Sequence, residues 1–229
     1  MRLDKLLSNL KYGSRNDIKK LIKKNMVKVN GSVISDSSID VLETDEIYVN
    51  NELVFHKEKF LLMLNKPSGF VSANKDNLHK TVIDLIKEPY SRYELNICGR
   101  LDIDTVGLVL ITNDGSIMHK IISPKSDIDK TYYVEYSGAI NKTALESPLE
   151  LLDGNNEKYT TKGAKLEILG DNKCNIKISE GKFHQVKRMF ESVGCKVTYL
   201  KRIRIGNITL DPSLKEGEYI EIDYKSLLC

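Results

Sequence analysis

What the 229-residue chain lacks narrows its chemistry before any motif is considered. Its four cysteines, Cys98, Cys174, Cys195 and Cys229, show no CxxC spacing, so neither a disulfide framework nor a zinc site is expected, which fits a reducing compartment. With 14 glycines and 5 prolines, collagen-like and low-complexity classes are excluded. No apolar run approaches the ~18 residues that span a bilayer, and Met1-Arg2-Leu3-Asp4-Lys5 opens an amphipathic pattern instead of a signal-peptide core. A soluble cytoplasmic protein without an export address or a membrane partner is expected. P-loop, G-x-G-x-x-G, G-x-S-x-G, H-E-x-x-H and EF-hand patterns are all missing, which removes the usual supports of nucleotide hydrolysis, dinucleotide redox chemistry and zinc hydrolysis. His56, His79 and His119 stand in unrelated surroundings and suggest no ligand set.

Charge of one sign is also scarce in total: 35 Lys+Arg against 32 Asp+Glu give +3. The distribution is uneven. Residues 1–30 hold nine basic groups against Asp4 and Asp17, a net +7, and residues 182–204 hold seven against Glu191, a net +6. Two basic islands therefore sit on an acidic body.

Leu3, Leu6, Leu7 and Leu10 fall at i, i+3, i+4 and i+7, and Ile18, Leu21 and Ile22 repeat the stripe, predicting short helices over 2–10 and 15–25. Ser14 is the expected N-cap of the second, with Asp17 three residues on. Val27-Lys28-Val29-Asn30-Gly31-Ser32-Val33-Ile34 alternates around an Asn-Gly pair, the signal of a tight hairpin, and residues 45–49 supply another strand. The result is a small module whose lysines lie off the leucine stripe. A solvated helix face is the plain reading of such lysines. Against it, Lys19, Lys20, Lys23 and Lys24 have no acidic residue among them, and an unpaired +7 costs self-repulsion unless something anionic binds.

A boundary is expected near residue 58, giving domains 1–57 and 58–229. Beyond it, strands are predicted at 60–65, 107–112, 131–136, 164–169, 174–178, 203–209 and 219–224, with helices about 80–88, 115–122, 141–147 and 183–193. No regular βαβ alternation runs through them. The fold class is therefore α+β, with a small N-terminal α/β module followed by a domain built on a mainly antiparallel mixed sheet with flanking helices.

The densest polar cluster is Gly99-Arg100-Leu101-Asp102-Ile103-Asp104-Thr105-Val106-Gly107, a turn carrying an Arg and two Asp just before an apolar strand that ends in Asn113-Asp114-Gly115. As turn chemistry, Asn113, Asp114 and Gly115 need no further role. For Asp102, a structural turn and a functional site remain open on spacing alone.

Four ordered segments carry a resemblance. Leu64-Asn65-Lys66-Pro67-Ser68-Gly69, the Gly99–Gly115 segment, Lys130-Thr131-Tyr132-Tyr133-Val134, and Glu180-Gly181-Lys182-Phe183-His184-Gln185-Val186-Lys187-Arg188-Met189-Phe190 resemble, in order, the motifs of the RNA pseudouridine synthases. Arg2-Leu3-Asp4-Lys5-Leu6-Leu7, Ser14-Arg15 and Val27-Lys28-Val29-Asn30-Gly31 resemble the S4-like RNA-binding domain. The resemblance implies a cofactor-free isomerase acting as a monomer on ribosomal RNA. The His-Gln-Val-Lys-Arg-Met form and the short chain favour the branch acting on small-subunit (16S) RNA. A large-subunit (23S) site and a noncatalytic assembly factor are the alternatives.

By the same resemblance Asp102 is the catalytic carboxylate, which needs a cationic neighbour to stay charged in a closed pocket: Lys187, with Arg188 as the other choice. Tyr132 would stack on an extruded uracil, with Tyr133 on the other side of its strand. RNA contacts are expected from Arg2, Lys5, Arg15, Lys19, Lys20, Lys23 and Lys28 in the module, and from Lys66, Arg100, His184, Gln185 and Arg188 around the site. No metal is expected. Lys196, Lys201, Arg202 and Arg204 read equally as cleft-lining cations or as a solvated strand surface.

Overall fold

The computed structural model describes residues 1–123 and 126–224, so Cys229 lies outside the described residues. They form two units, one of Met1–Phe60 with Ile86–Leu95 and one of Leu61–Leu85 with Asn96–Cys229.

In the first unit, α1 (Leu3–Asn9) and α2 (Arg15–Lys23) follow the leucine stripe. Leu3, Leu7, Leu10, Ile18 and Ile22 are all buried against Val27, Ile47 and Val49, each contributing about 1.5–3 kcal/mol of apolar burial. Ser14 caps α2 as expected: its Oγ accepts from the Asp17 amide (3.2 Å), while the Asp17 carboxylate accepts from the Ser14 amide (3.2 Å), a reciprocal capping box. β1 (Val27–Val29) and β2 (Ser32–Val33) pair antiparallel around Asn30 (φ 50°) and Gly31 (φ 78°), the left-handed pair that a two-residue hairpin turn demands. β3 (Ile47–Val49) and β4 (Glu52–Leu53) form a second hairpin around Asn50 and Asn51, both left-handed, and complete a sheet ordered β2-β1-β3-β4.

A single cut after residue 57 does not describe this unit, because residues 86–95 return to it. Tyr90 and Tyr93 meet Phe55 and Phe60 edge-on at centroid distances of 5.0–6.4 Å. Lys11 Nζ donates to the Ser91 carbonyl (2.7 Å), and the Arg92 guanidinium lies over the Tyr12 ring.

The second unit is built on one large sheet: β5 (Leu61–Lys66), β6 (Asn96–Cys98), β7 (Val106–Thr112), β8 (Lys130–Ser137), β11 (Lys165–Gly170), β12 (Lys173–Ile178), β13 (Lys196–Ile205), β14 (Ile208–Thr209) and β15 (Tyr219–Ile222). Its order is β11-β12-β8-β13-β7-β5-β15, with β14 on β13 and β6 on β7. Pairing is antiparallel except between β13 and β7, so the sheet is mixed but mainly antiparallel. β9 (Glu150–Leu152) and β10 (Lys158–Thr160) make a separate hairpin. The helices are α3 (Gly115–Ile122), α4 (Lys142–Glu146) and α5 (Gln185–Ser192). Asp114 caps α3 by accepting from the Ser116 and Ile117 amides, which accounts for its place in the turn.

Differences from the sequence expectation are local. The helix expected over 80–88 shortens to a 3-10 turn at Val82–Leu85, and β13 begins at Lys196 instead of 203. At the β7–β13 crossing Gly107 has φ 102°, and a Cβ there would stand 2.3 Å from the Arg202 carbonyl oxygen. Only glycine allows the two strands to come this close.

Candidate active site

β7 is buried along its whole length and β6 pairs with it, so the intervening loop 99–105 emerges from a rigid base. Its backbone is held from several sides. Arg202 on β13, only 3 % exposed, donates through Nη2 to the Gly99 carbonyl (3.2 Å), through Nη1 to Arg100 (3.3 Å) and through Nε to Leu108 (2.8 Å). Lys66, fully buried at the end of β5, donates to the carbonyls of Thr105 (2.7 Å), Pro67 (3.1 Å) and Ile103 (3.2 Å). The Ser72 hydroxyl both accepts from the Leu101 amide (3.0 Å) and donates to the Leu101 carbonyl (3.1 Å). A loop fixed by this many bonds presents its side chains in one orientation.

The Asp102 carboxylate faces α5. Lys187 Nζ lies 3.1 Å from Asp102 Oδ2 and 2.6 Å from Asp104 Oδ1, and His184 Nε2 lies 3.5 Å from Asp102 Oδ1. Burial acts against the charge on Lys187, but the bonds to Asp104 and Asp102 outweigh it and raise its pKa. Partial burial likewise acts against the Asp104 charge, yet the bond to Lys187 prevails and lowers its pKa. The turn before α5 positions both His184 and Lys187. Gln185 accepts from the Lys182 amide (3.0 Å) and donates to Glu180 (2.8 Å), and His184 takes a left-handed conformation (φ 51°) at the helix cap. Val186, Met189 and Phe190 anchor the helix, with Phe190 against Tyr136.

Asp102, Tyr132 and His184 border a cavity of about 600 Å³ whose walls include Leu101, Val186 and Leu200. Tyr132 is 7 % exposed on β8, whereas Tyr133 points to the other side, where its hydroxyl donates to Glu135 (2.7 Å). Arg100 is exposed at the cavity wall.

The structure thus brings together Asp102, Lys187, His184 and Tyr132. Three of the residues expected to contact RNA are engaged within the protein. Lys66 is spent on backbone carbonyls, Gln185 is 3 % exposed and closes a turn, and Arg188 donates to the carbonyls of Leu152 and Asp153 on the β9–β10 hairpin, away from Asp102. For Arg202 the solvated reading fails: at 3 % exposure it lies two residues beyond the buried Leu200, on the inner face of β13, a strand that the sequence reading began only at 203. Asp104 lay inside the polar cluster without an assigned role, and Ser72 had no sequence signal of its own.

In the first unit, Lys5, Arg15, Lys19, Lys20 and Lys23 are exposed. Arg2 makes a two-bond contact with the buried Asp4, Lys20 pairs with Asp17 (3.1 Å), and Lys28 donates to Asn51 (3.2 Å). The α2 face is therefore partly neutralised by its own capping residue.

A family profile described as RNA pseudouridylate synthase matches residues 60–192, and an S4 domain profile matches residues 1–47. The chain belongs to the RNA pseudouridylate synthase family. A ribosomal small subunit pseudouridine synthase A from Haemophilus influenzae is 42 % identical over 96 % of this chain and 94 % of its own length. An uncharacterized RNA pseudouridine synthase of Bacillus subtilis is 41 % identical over 99 % and 97 %. A crystal structure of a pseudouridylate synthase shares 40 % identity and a TM-score of 0.69 over 100 % of this chain and 98 % of that one. As a pseudouridine synthase the protein is an isomerase, and two carboxylates, Asp102 and Glu180, line its cavity, of which only Asp102 is paired with Lys187.

Proposed function

We propose that the protein converts one uridine of small-subunit (16S) ribosomal RNA to pseudouridine in the cytoplasm, acting as a monomer without a cofactor, with Asp102 as the reacting carboxylate. The observation that carries this reading is the placement of the Asp102 carboxylate at the cavity wall between Lys187 Nζ (3.1 Å) and His184 Nε2 (3.5 Å).

Pseudouridine formation breaks the N1–C1′ bond, turns the uracil and joins C5 to C1′, while the C5 proton is lost and N1 gains one. The change is redox-neutral and isomeric, so the chemistry calls for a nucleophile or base and a shaped pocket. Asp102 attacks the ribose at C1′ or removes its 2′ proton, and Lys187, 3.1 Å from its Oδ2, fixes the carboxylate's orientation. A volume of about 600 Å³ lies in the range of small-ligand pockets and accommodates a flipped nucleoside. Tyr132 offers its ring to the extruded uracil. Extrusion costs a few kcal/mol, offset by phosphate contacts from Arg100 and from the exposed Lys5, Arg15, Lys19 and Lys23 of the first unit.

The test is a pseudouridine map of both ribosomal RNAs from cells lacking this chain. One missing small-subunit modification, restored by the wild type and not by Asp102→Asn, supports the reading. A missing large-subunit modification moves the substrate to 23S RNA, and full restoration by Asp102→Asn removes the carboxylate from the chemistry.

A further inference from the structure

Breaking the N1–C1′ bond leaves the bonding pair on the uracil, as an anion shared among N1, O2 and O4. A positive group aimed at that ring is worth most where water is excluded. The cavity contains several cations, and most are already committed. Arg202 is spent on the carbonyls of Gly99, Arg100 and Leu108. Lys162 is exposed and paired with Asp127 (2.7 Å). Lys182 lies over the Tyr159 ring.

Lys130 differs from these. It lines the cavity, it is half-buried, and its ammonium makes no hydrogen bond or salt bridge among the described residues. It stands two residues before Tyr132 on β8, so strand alternation puts both on one side, their Cα atoms roughly 7 Å apart. Ile178 and Ile205 are its cross-strand partners, and both line the same cavity. Burial first, and then the Arg202 charge, lower its pKa below the usual lysine value, against the opposing pull of Asp129 and Asp127. Those two carboxylates are engaged elsewhere, Asp127 with Lys162 and Asp129 with Lys177.

We propose that Lys130 is a catalytic residue that donates a hydrogen bond to a carbonyl oxygen of the flipped uracil and stabilises the uracil anion while the N1–C1′ bond is broken. The ammonium keeps its proton throughout. The electron pair leaves C1′ for the ring, then returns as the C5–C1′ bond forms, and the C5 proton departs to solvent as N1 is protonated. The proposal rests on the cavity being the uridine site, but not on Asp102 being the nucleophile.

The experiment measures single-turnover tritium release from small- and large-subunit ribosomal RNA transcripts carrying 5-tritiated uridine, alongside RNA binding by filter retention. Lys130→Met is expected to lower the rate at saturating enzyme about 100-fold while RNA affinity stays within about threefold, and Lys130→Arg is expected to recover most of the loss. Lys130→Gln, which keeps the polarity and removes the charge, gives the same comparison if the Met variant does not fold. A rate within threefold of wild type in the neutral variants overturns the proposal. So does a loss that follows weaker RNA binding, or one that Arg leaves unrepaired. Asp102→Asn, run in parallel, reports separately: if it retains activity, the nucleophile assignment falls while the Lys130 comparison is still read against the wild type.

Discussion

Lys187 Nζ bridges two carboxylates of one loop, 3.1 Å from Asp102 Oδ2 and 2.6 Å from Asp104 Oδ1. The shorter contact is to the more exposed partner: the Asp104 side chain is 65 % exposed and that of Asp102 26 %. Asp104 thus holds the ammonium at the mouth of the site while Asp102 faces the cavity.

Replacing Lys187 by Met should lower the single-turnover rate about 100-fold, because Asp102 loses its compensating charge. Asp104→Asn should cost less than about tenfold, since the ammonium retains Asp102. The pH dependence of stability follows from the same bond. Asp104 has a folded pKa below its usual 3.8, so its contribution is present above that value and lost as pH falls through the folded one. Lys187 has a folded pKa above 10.5, so its contribution is present below that value and lost as pH rises through the folded one. Urea unfolding of wild type and Lys187→Met should therefore differ most from about pH 5 to 9. Equal rates in wild type and Lys187→Met would remove the ion pair from the mechanism.

Lys66 gives the opposite sign. Burial pushes its pKa down from 10.5 to about 8, against the attraction of Asp104 and Asp102. Between these values the unfolded chain holds a proton that the folded one has released, so stability rises with pH across that window. Wild type should gain on the order of 3 kcal/mol relative to Lys66→Met between pH 8 and 10.5 by urea unfolding. At pH 7 the variant should still be the less stable protein, because the carbonyls of Thr105, Pro67 and Ile103 lose their shared donor. A pH-independent difference would mean that Lys66 titrates alike in both states.

Features written in neighbouring residues were legible in the sequence. The leucine stripe, the Ser14–Asp17 box and the Asn30-Gly31 turn each depend on contacts a few positions apart, and the structure contains all three. The second hairpin turn at Asn50-Asn51 was missed because it lacks glycine, although asparagine tolerates the same left-handed backbone. The first part of β13 was missed although Val197, Thr198 and Tyr199 favour strands, because Lys196, Lys201 and Arg202 interrupt the apolar pattern before pairing with β8 extends it. Burial of Lys66 and Arg202 ran against the general rule that cations stay in water, and only the loop carbonyls explain it. The approach of Lys187 to Asp102, 85 residues apart, has no local signature and was anticipated only through the family motifs.

The exposed cations of the first unit make a prediction of their own. Lys19 and Lys23 are exposed on α2, and no side-chain hydrogen bond or salt bridge engages either one among the described residues, whereas Lys20 is bound to Asp17 and Arg2 to Asp4. If Lys19 and Lys23 contact phosphates, each displaces condensed counterions, and log affinity falls with log salt by roughly 0.7–0.9 per contact. The double variant Lys19→Glu/Lys23→Glu should bind ribosomal RNA more weakly and lower the salt slope by about 1.5. The rate at saturating enzyme should stay unchanged, because neither residue touches the cavity. Lys20→Gln should move the slope less than either, since Asp17 already offsets its charge. Fluorescence-anisotropy titrations from 50 to 300 mM salt, values chosen around the ~150 mM physiological range, make the comparison, and an unaltered slope in the double variant would take α2 out of the RNA-binding surface.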